Sequence, residues 1–183
     1  MAALLVVGGV LFALGATAIT PLSASTSNQH IQNQQLAVAN DLLATADANG
    51  TLREAVVYWN TSEGGFYGAS ADGYYTRGGP PTAFGRALNE TFRDQQVAFN
   101  VYVIYWKGTA RKEVPMTYMG APSDNAVRAS RTVTLYNDTA LTAPGTNVNV
   151  STAGVTGEFY APDLAPGNQL YNLVEVRITA WRM

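Results

Sequence analysis

VAFNVYVIYW, residues 97–106, is rich in β-branched and aromatic side chains and carries apolar residues on both faces. A strand without a polar face belongs inside a sheet, covered on both sides. Working outward from it, the neighbouring segments read as its partners. KGTARK at 107–112 leads into EVPMTYM at 113–119, where Pro115 cannot donate to a ladder and so points to a sheet edge. In 127–135, Val127, Ala129, Val133 and Leu135 alternate with Arg128, Ser130, Thr132 and Thr134. In the last strand Val174, Val176, Ile178 and Ala180 face inward, with Glu175, Arg177 and Thr179 outward. These patterns predict about four antiparallel strands.

Upstream, Phe84, Leu88 and Phe92 recur at helical spacing after Pro80-Pro81, predicting an amphipathic helix. Residues 60–80, NTSEGGFYGASADGYYTRGGP, are rich in Gly and Tyr and show no period. A loop of that length is functional, packed as an Ω-loop, or disordered. Thr51 and Glu54 stand at capping-box spacing, predicting a short helix through about Trp59 that brings Val56, Tyr58 and Trp59 near the core. Residues 139–169, with Pro144, Gly145, Pro162 and Pro166, read as a second irregular region.

The charge distribution sets the N-terminal part aside. Charged residues make up 13% of the chain, about half the usual share. From Met1 to Asn40 there is no Asp, Glu, Lys or Arg at all. MAALLVVGGVLFALGATAIT, residues 1–20, is almost wholly apolar and about as long as a bilayer core is thick. With no polar face it does not read as the core helix of a soluble domain. Three readings stand: a transmembrane anchor, a cleaved secretory signal, and a hydrophobic helix that leaves the membrane to pack into a filament. No basic n-region precedes it, although Ala16-Thr17-Ala18 fits a cleavage site.

Gly9, Ala13 and Thr17 recur every four residues and make a stripe of small side chains that lets helix backbones approach closely. Gly and Ala are also common in membrane helices generally, and both explanations stay open. Pro21 marks an expected kink. Beyond it, Leu36, Ala39, Leu43 and Ala46 share one helical face while Gln32, Asn33, Gln34 and Asn40 lie on others, and Asn49-Gly50 supplies a stop. A helix continuous from Met1 to Ala48 would span roughly 70 Å at about 1.5 Å per residue.

Enzyme constellations mostly fail to appear. His30 is the single histidine and lies in an uncharged segment, so a histidine-based triad or a multi-histidine zinc site has no partners. There is no cysteine, hence no disulfide framework and no thiolate ligand or nucleophile. The glycines of 64–79 lack the Lys-Ser/Thr ending of a phosphate loop. Glu63, Asp72, Glu90, Asp94, Asp124, Asp138, Glu158 and Asp163 stand mostly beside turn residues, which explains them without catalysis. Ser123 and Ser130 have no candidate base near them in sequence. The net charge of −2 argues for neither nucleic acid nor anionic lipid as a partner.

One motif recurs. Asn49-Gly50-Thr51, Asn60-Thr61-Ser62, Asn89-Glu90-Thr91, Asn137-Asp138-Thr139 and Asn149-Val150-Ser151 all fit the N-glycosylation acceptor pattern. Asn60 and Asn149, in irregular segments, are the expected sites of modification, and Asn89, within a predicted helix, the least expected.

The apolar run MAALLVVGGVLFALGATAITP, its amphipathic continuation and the β-rich remainder resemble the type IV pilin-like proteins of archaea, especially the haloarchaeal ones. The segments REAVVYWN (53–60), AFGRALNETF (83–92), APSDNAVRASRTVTLYND (121–138) and YNLVEVRITAW (171–181) carry the same resemblance. The chain departs from that pattern in having no basic leader with a processing site and no acidic residue near its start, which places the expected start of the product further upstream.

The fold class expected is α+β and pilin-like: a long N-terminal hydrophobic helix followed by an antiparallel β-sheet head with two short helices. Residues 1–24 would be the transmembrane or filament-core helix, 25–48 its amphipathic continuation packing on the head, and 49–183 the globular head. The resemblance implies a non-enzymatic structural subunit without cofactor or metal. It would be held in the membrane before assembly and then join copies of itself or other pilin-like subunits at the cell surface. A solitary anchored or secreted binding domain, taking glycans or surface partners through the Tyr-rich loop, is the other expectation.

Overall fold

A computed structural model describes residues 29–182. Residues 29–48 form a helix (α1) whose Ala39, Leu43 and Ala46 are buried, while Asn33, Gln34 and Asn40 face solvent. The helix stops where glycine makes stopping easy. Gly50 takes φ 80°, and its amide donates back to the Asp47 carbonyl at 3.1 Å. The chain then turns straight into α2 (Thr51–Val56), a six-residue helix burying Leu52, Ala55 and Val56.

The capping box expected at Thr51 does not form, because Gly50 rather than Thr51 occupies the cap position. Asn49 takes over part of the work. Its Oδ1 accepts from the Thr51 amide at 3.1 Å and from the Thr51 hydroxyl at 2.7 Å. The helix also ends at Val56, so Trp59 belongs to β1 (Trp59–Asn60), paired with β2 (Gly65–Phe66) in a two-stranded ribbon.

Helix α3 (Ala83–Thr91) buries Phe84 and Leu88, with Phe92 buried at its end, and the Thr82 hydroxyl caps it by accepting from the Gly85 amide at 3.3 Å. A single 3-10 turn, Arg93–Gln95, leads into the main sheet. Its strands are β3 (Val97–Lys107), β4 (Ala110–Thr117), β5 (Val127–Tyr136) and β6 (Leu170–Arg182), all antiparallel, in the order β4-β3-β6-β5. β3 is interior, as its apolar faces require, and β4 with Pro115 is an edge. The turn between them is shorter than KGTARK implied. Only Gly108 and Thr109 separate the strands, with Gly108 at φ 61°.

All four helices lie on one face of this sheet. Ala39 and Leu43 of α1, Leu52 and Val56 of α2, and Phe84 and Leu88 of α3 share one core with Val101 and Val103 of β3 and Val176 and Ile178 of β6. The fourth helix, α4 (Val150–Val155), adds Val150 and Ala153 to it.

The pilin-like fold class expected above is therefore corrected. Among the described residues no helix is long and apolar enough to cross a membrane. The first described helix is amphipathic, and three short α-helices rather than two accompany a mixed helix-and-sheet domain with a four-stranded antiparallel sheet. α4 went unread because VSTAGV combines β-branched residues with a glycine and is too short to show a period; its start is set by the Asn149 side chain, which accepts from the Thr152 amide at 2.8 Å. Gly9, Ala13, Thr17 and Pro21 lie outside the described residues.

Candidate functional site

The described residues offer three surfaces with some chemistry. The first is a groove of about 400 Å³ between α1 and α3, walled by Val38, Leu42 and Ala46 on one side and Ala83 and Ala87 on the other. A smaller cavity of about 200 Å³, bounded by Ile31, Phe92 and Val97, runs on from it past the shared residues Val38 and Thr91. Val38 remains 37% exposed, so this side of α1 is apolar yet uncovered. The groove exists because alanine, not a larger residue, faces α1 from two successive turns of α3.

The second is the Tyr-rich loop. It is folded by its own backbone: the Phe66 amide donates to Gly73, and Tyr67 to Tyr58. Gly65 and Gly73 cross so closely that a Cβ on Gly65 would meet the Gly73 Cα at 2.8 Å. The loop lies along the outer edge of β4. The Tyr75 amide donates to the Met116 carbonyl at 2.9 Å and the Tyr118 amide to the Tyr75 carbonyl at 2.8 Å, covering part of an otherwise open strand edge. The Tyr75 hydroxyl donates to the Tyr67 carbonyl, and burial, with a smaller contribution from Tyr58, raises its pKa well above the ordinary tyrosine value. Tyr74 and Tyr118 meet edge to face at 6.0 Å between ring centres, and Tyr118 is exposed.

The third is the sheet face away from the helices. Arg111 of β4, Glu175 and Arg177 of β6 and Glu113 of β4 form a chain of ion pairs there, with Arg177 Nη2 3.1 Å from Glu175 and Arg111 also paired to Glu175. Burial alone would raise the Glu175 pKa, but hydrogen bonds and charge from Arg111 and Arg177 outweigh it and hold the carboxyl below its ordinary value. The Arg111 guanidinium also lies 5.8 Å over the Trp106 ring. This network was not legible from the sequence, although the outward positions of Glu175 and Arg177 were. It requires the two-residue turn at Gly108, which sets the β3–β4 register. Both carboxylates are tied to arginine, an arrangement suited to holding strands together rather than to moving a proton.

Among the described residues no group of three or more His, Asp or Glu lies together as a metal site. His30 is exposed on α1. The five acceptor asparagines are all described and stand in different settings. Asn49 is exposed at the end of α1, and the Asn60 side chain accepts from the Ser62 amide at 3.1 Å. Asn89 Oδ1 accepts from the Gly79 amide at 3.0 Å, Asn149 caps α4, and Asn137 Nδ2 donates to the Asn168 carbonyl at 2.6 Å.

The family whose sequence pattern matches residues 1–180 is DUF7288, described as a family of unknown function. No curated protein and no solved structure matches the chain.

Proposed function

We propose that this chain, which belongs to DUF7288, is a structural subunit of a type IV pilus-like surface filament, assembled through its apolar N-terminal segment. The observation that carries the reading is the division of the chain. The first forty residues carry no charge, and the first twenty, almost wholly apolar, precede a domain that carries all the charged residues of the chain. A segment of that kind does not stay in water. It is covered either by lipid or by copies of itself.

The uncovered apolar side of α1 supports the same reading, because a neighbouring subunit's apolar surface would fill it. On this reading the protein is held at the membrane before assembly, ends in a filament at the cell surface, and is not an enzyme. Gly9, Ala13 and Thr17, which lie outside the described residues, would supply the packing stripe.

Negative-stain imaging of native surface material, with antibody against residues 49–183 to mark the subunit, tests this. Gly9→Leu should reduce filament yield while leaving the spectrum of the domain unchanged. Unaltered filament yield with an unaltered spectrum removes the stripe as a contact face, and unlabelled surfaces remove the filament.

A second reading, a solitary anchored or secreted binding domain, has one observation in its favour. Tyr118 is exposed beside Tyr74 on a loop held in place by backbone bonds, a setting in which aromatic faces take up sugar rings. A labelled protein that binds glycans on an array, stays monomeric, and loses binding on Tyr118→Ala would favour it over the filament.

A further inference from the structure

The five acceptor sequences are equivalent as motifs and different as structures, and the difference lies in what holds each asparagine amide. N-linked modification needs Nδ2 accessible, because the nitrogen must reach the anomeric carbon of a sugar. Asn49 and Asn60 share one arrangement. In each, Oδ1 accepts from the backbone amide of the motif's own third residue, from Thr51 at 3.1 Å and from Ser62 at 3.1 Å. At Asn49 the hydroxyl of that third residue also donates to Oδ1, at 2.7 Å. The side chain is anchored through oxygen, and Nδ2 has no partner among the described residues. Asn49 and Gly50 are exposed, and Asn60 is half-buried beside the exposed Ser62 and Glu63.

The other three differ. Asn89 and Asn149 have Oδ1 bound outside the motif, to Gly79 and to Thr152. The Asn89 amide lies close over Gly78, where a Cβ would meet its Oδ1 at 2.5 Å. At Asn137 the nitrogen itself is taken. Its Nδ2 is spent on the Asn168 carbonyl at 2.6 Å, its own amide donates to Gln169 at 2.9 Å, and its Oδ1 is buried without a partner among the described residues.

We infer that Asn49 and Asn60 are N-glycan acceptors on the folded chain and that Asn137 is not. The donor would be a sugar activated as a lipid-linked phosphate. Asn Nδ2 forms a bond to the anomeric carbon, the bond from that carbon to the phosphate oxygen breaks with its electron pair leaving on the phosphate, and the Nδ2 proton passes to a base of the transferase. The sugars at both positions would enlarge the polar surface of a chain with few charges, Asn49 at the end of the α1 groove and Asn60 beside the Tyr-rich loop. Of the proposed function this rests on export alone, not on assembly.

The test is glycopeptide mapping of the full chain recovered from its native cells, with the compartment of recovery recorded. Sugar is expected on the peptides holding Asn49 and Asn60, and the Asn137 peptide is expected bare. Thr51→Ser should keep the sugar at Asn49. Thr51→Ala and, independently, Asn49→Gln should each abolish it while leaving Asn60 modified, which shows that the variant still folds and is exported. Bare Asn49 and Asn60 in surface-recovered protein, or sugar on Asn137, overturns the inference. Protein that is bare and found only inside the cell overturns both this inference and the surface function. Modified protein that never forms filaments leaves the inference standing and removes assembly.

Discussion

Asn100 shows how much one buried amide holds in this fold. It is fully buried on β3; its Nδ2 donates to the Gly120 carbonyl at 2.9 Å, and its Oδ1 accepts from the Met119 amide at 2.8 Å. It therefore ties the segment after β4 back onto the sheet. Asn100→Ala would strand both backbone groups, at a cost of about 1–3 kcal/mol. The expected outcome is a lower urea midpoint together with faster amide exchange at residues 119–126; unchanged exchange there would show that the segment is held by other contacts.

Tyr171 supplies a pH dependence. Its hydroxyl donates to the Ala161 carbonyl, and burial, followed by the nearby charge of Asp163, pushes its pKa from about 10 up to about 12. Below pH 10 the group is protonated in folded and unfolded chains alike, and its stabilisation is complete. Between about 10 and about 12 the unfolded chain gives up the proton first, so stability falls as pH rises. Tyr171→Phe should cost about 1 kcal/mol near neutrality through the lost hydrogen bond. That gap should narrow between pH 8 and pH 11 in urea titrations, and a gap that stays constant would place the hydroxyl in a less buried setting.

Among the elements, α3 carries a constraint that its apolar period does not show. Phe84, Leu88 and Phe92 mark its buried face in sequence and in structure. Gly85, between them, is fixed by something else: a Cβ there would lie 1.7 Å from the Pro80 carbonyl oxygen and 2.7 Å from its carbon. Backbone cannot withdraw as a flexible side chain can. Gly85→Ala should therefore cost about 3 kcal/mol or more, against a few tenths for a typical exposed alanine substitution, and thermal unfolding will show whether the approach of Pro80 is that tight. In α1 the periodic face is itself the determinant. Leu43 is 1% exposed, and Leu43→Ala should cost about 2–5 kcal/mol, with Asn40→Ala close to neutral in the same denaturation series.

At the scale of the molecule, α1 divides what the domain needs from what it does not. A chain of residues 29–183 keeps every buried residue of the core, including Ala39, Leu43 and Ala46. It is expected to be a soluble monomer with one cooperative thermal transition. Removing residues through Ala48 takes those three side chains from the sheet face and should leave a protein that aggregates or melts far lower. An unfolded shorter truncation, or an equally stable longer one, would show that α1 is not part of the core.

How much of this was legible follows from the range of the forces involved. Alternation in 127–135 and in 174–180, the apolar residues on both faces of 97–106, and the three- and four-residue spacings of Leu36, Ala39, Leu43 and Ala46 are local properties. They select strand or helix, and which side is buried, from adjacent residues alone. From them came the antiparallel strands, the edge position of Pro115 and the inward sets of β5 and β6. The same local reading found five equivalent motifs and favoured Asn60 and Asn149 for their irregular segments; it could not see what holds each amide, such as the α4 cap made by the Asn149 oxygen.

The order β4-β3-β6-β5, the thirteen residues of β6 in the middle of the sheet, the Tyr loop laid on the β4 edge, the arginine–glutamate chain and the closing of Asn137 by Asn168 were decided only in three dimensions. Each joins residues far apart in the chain. Such pairings are chosen by the free energy of covering one another's surface and satisfying one another's hydrogen bonds, which no period within a single segment contains.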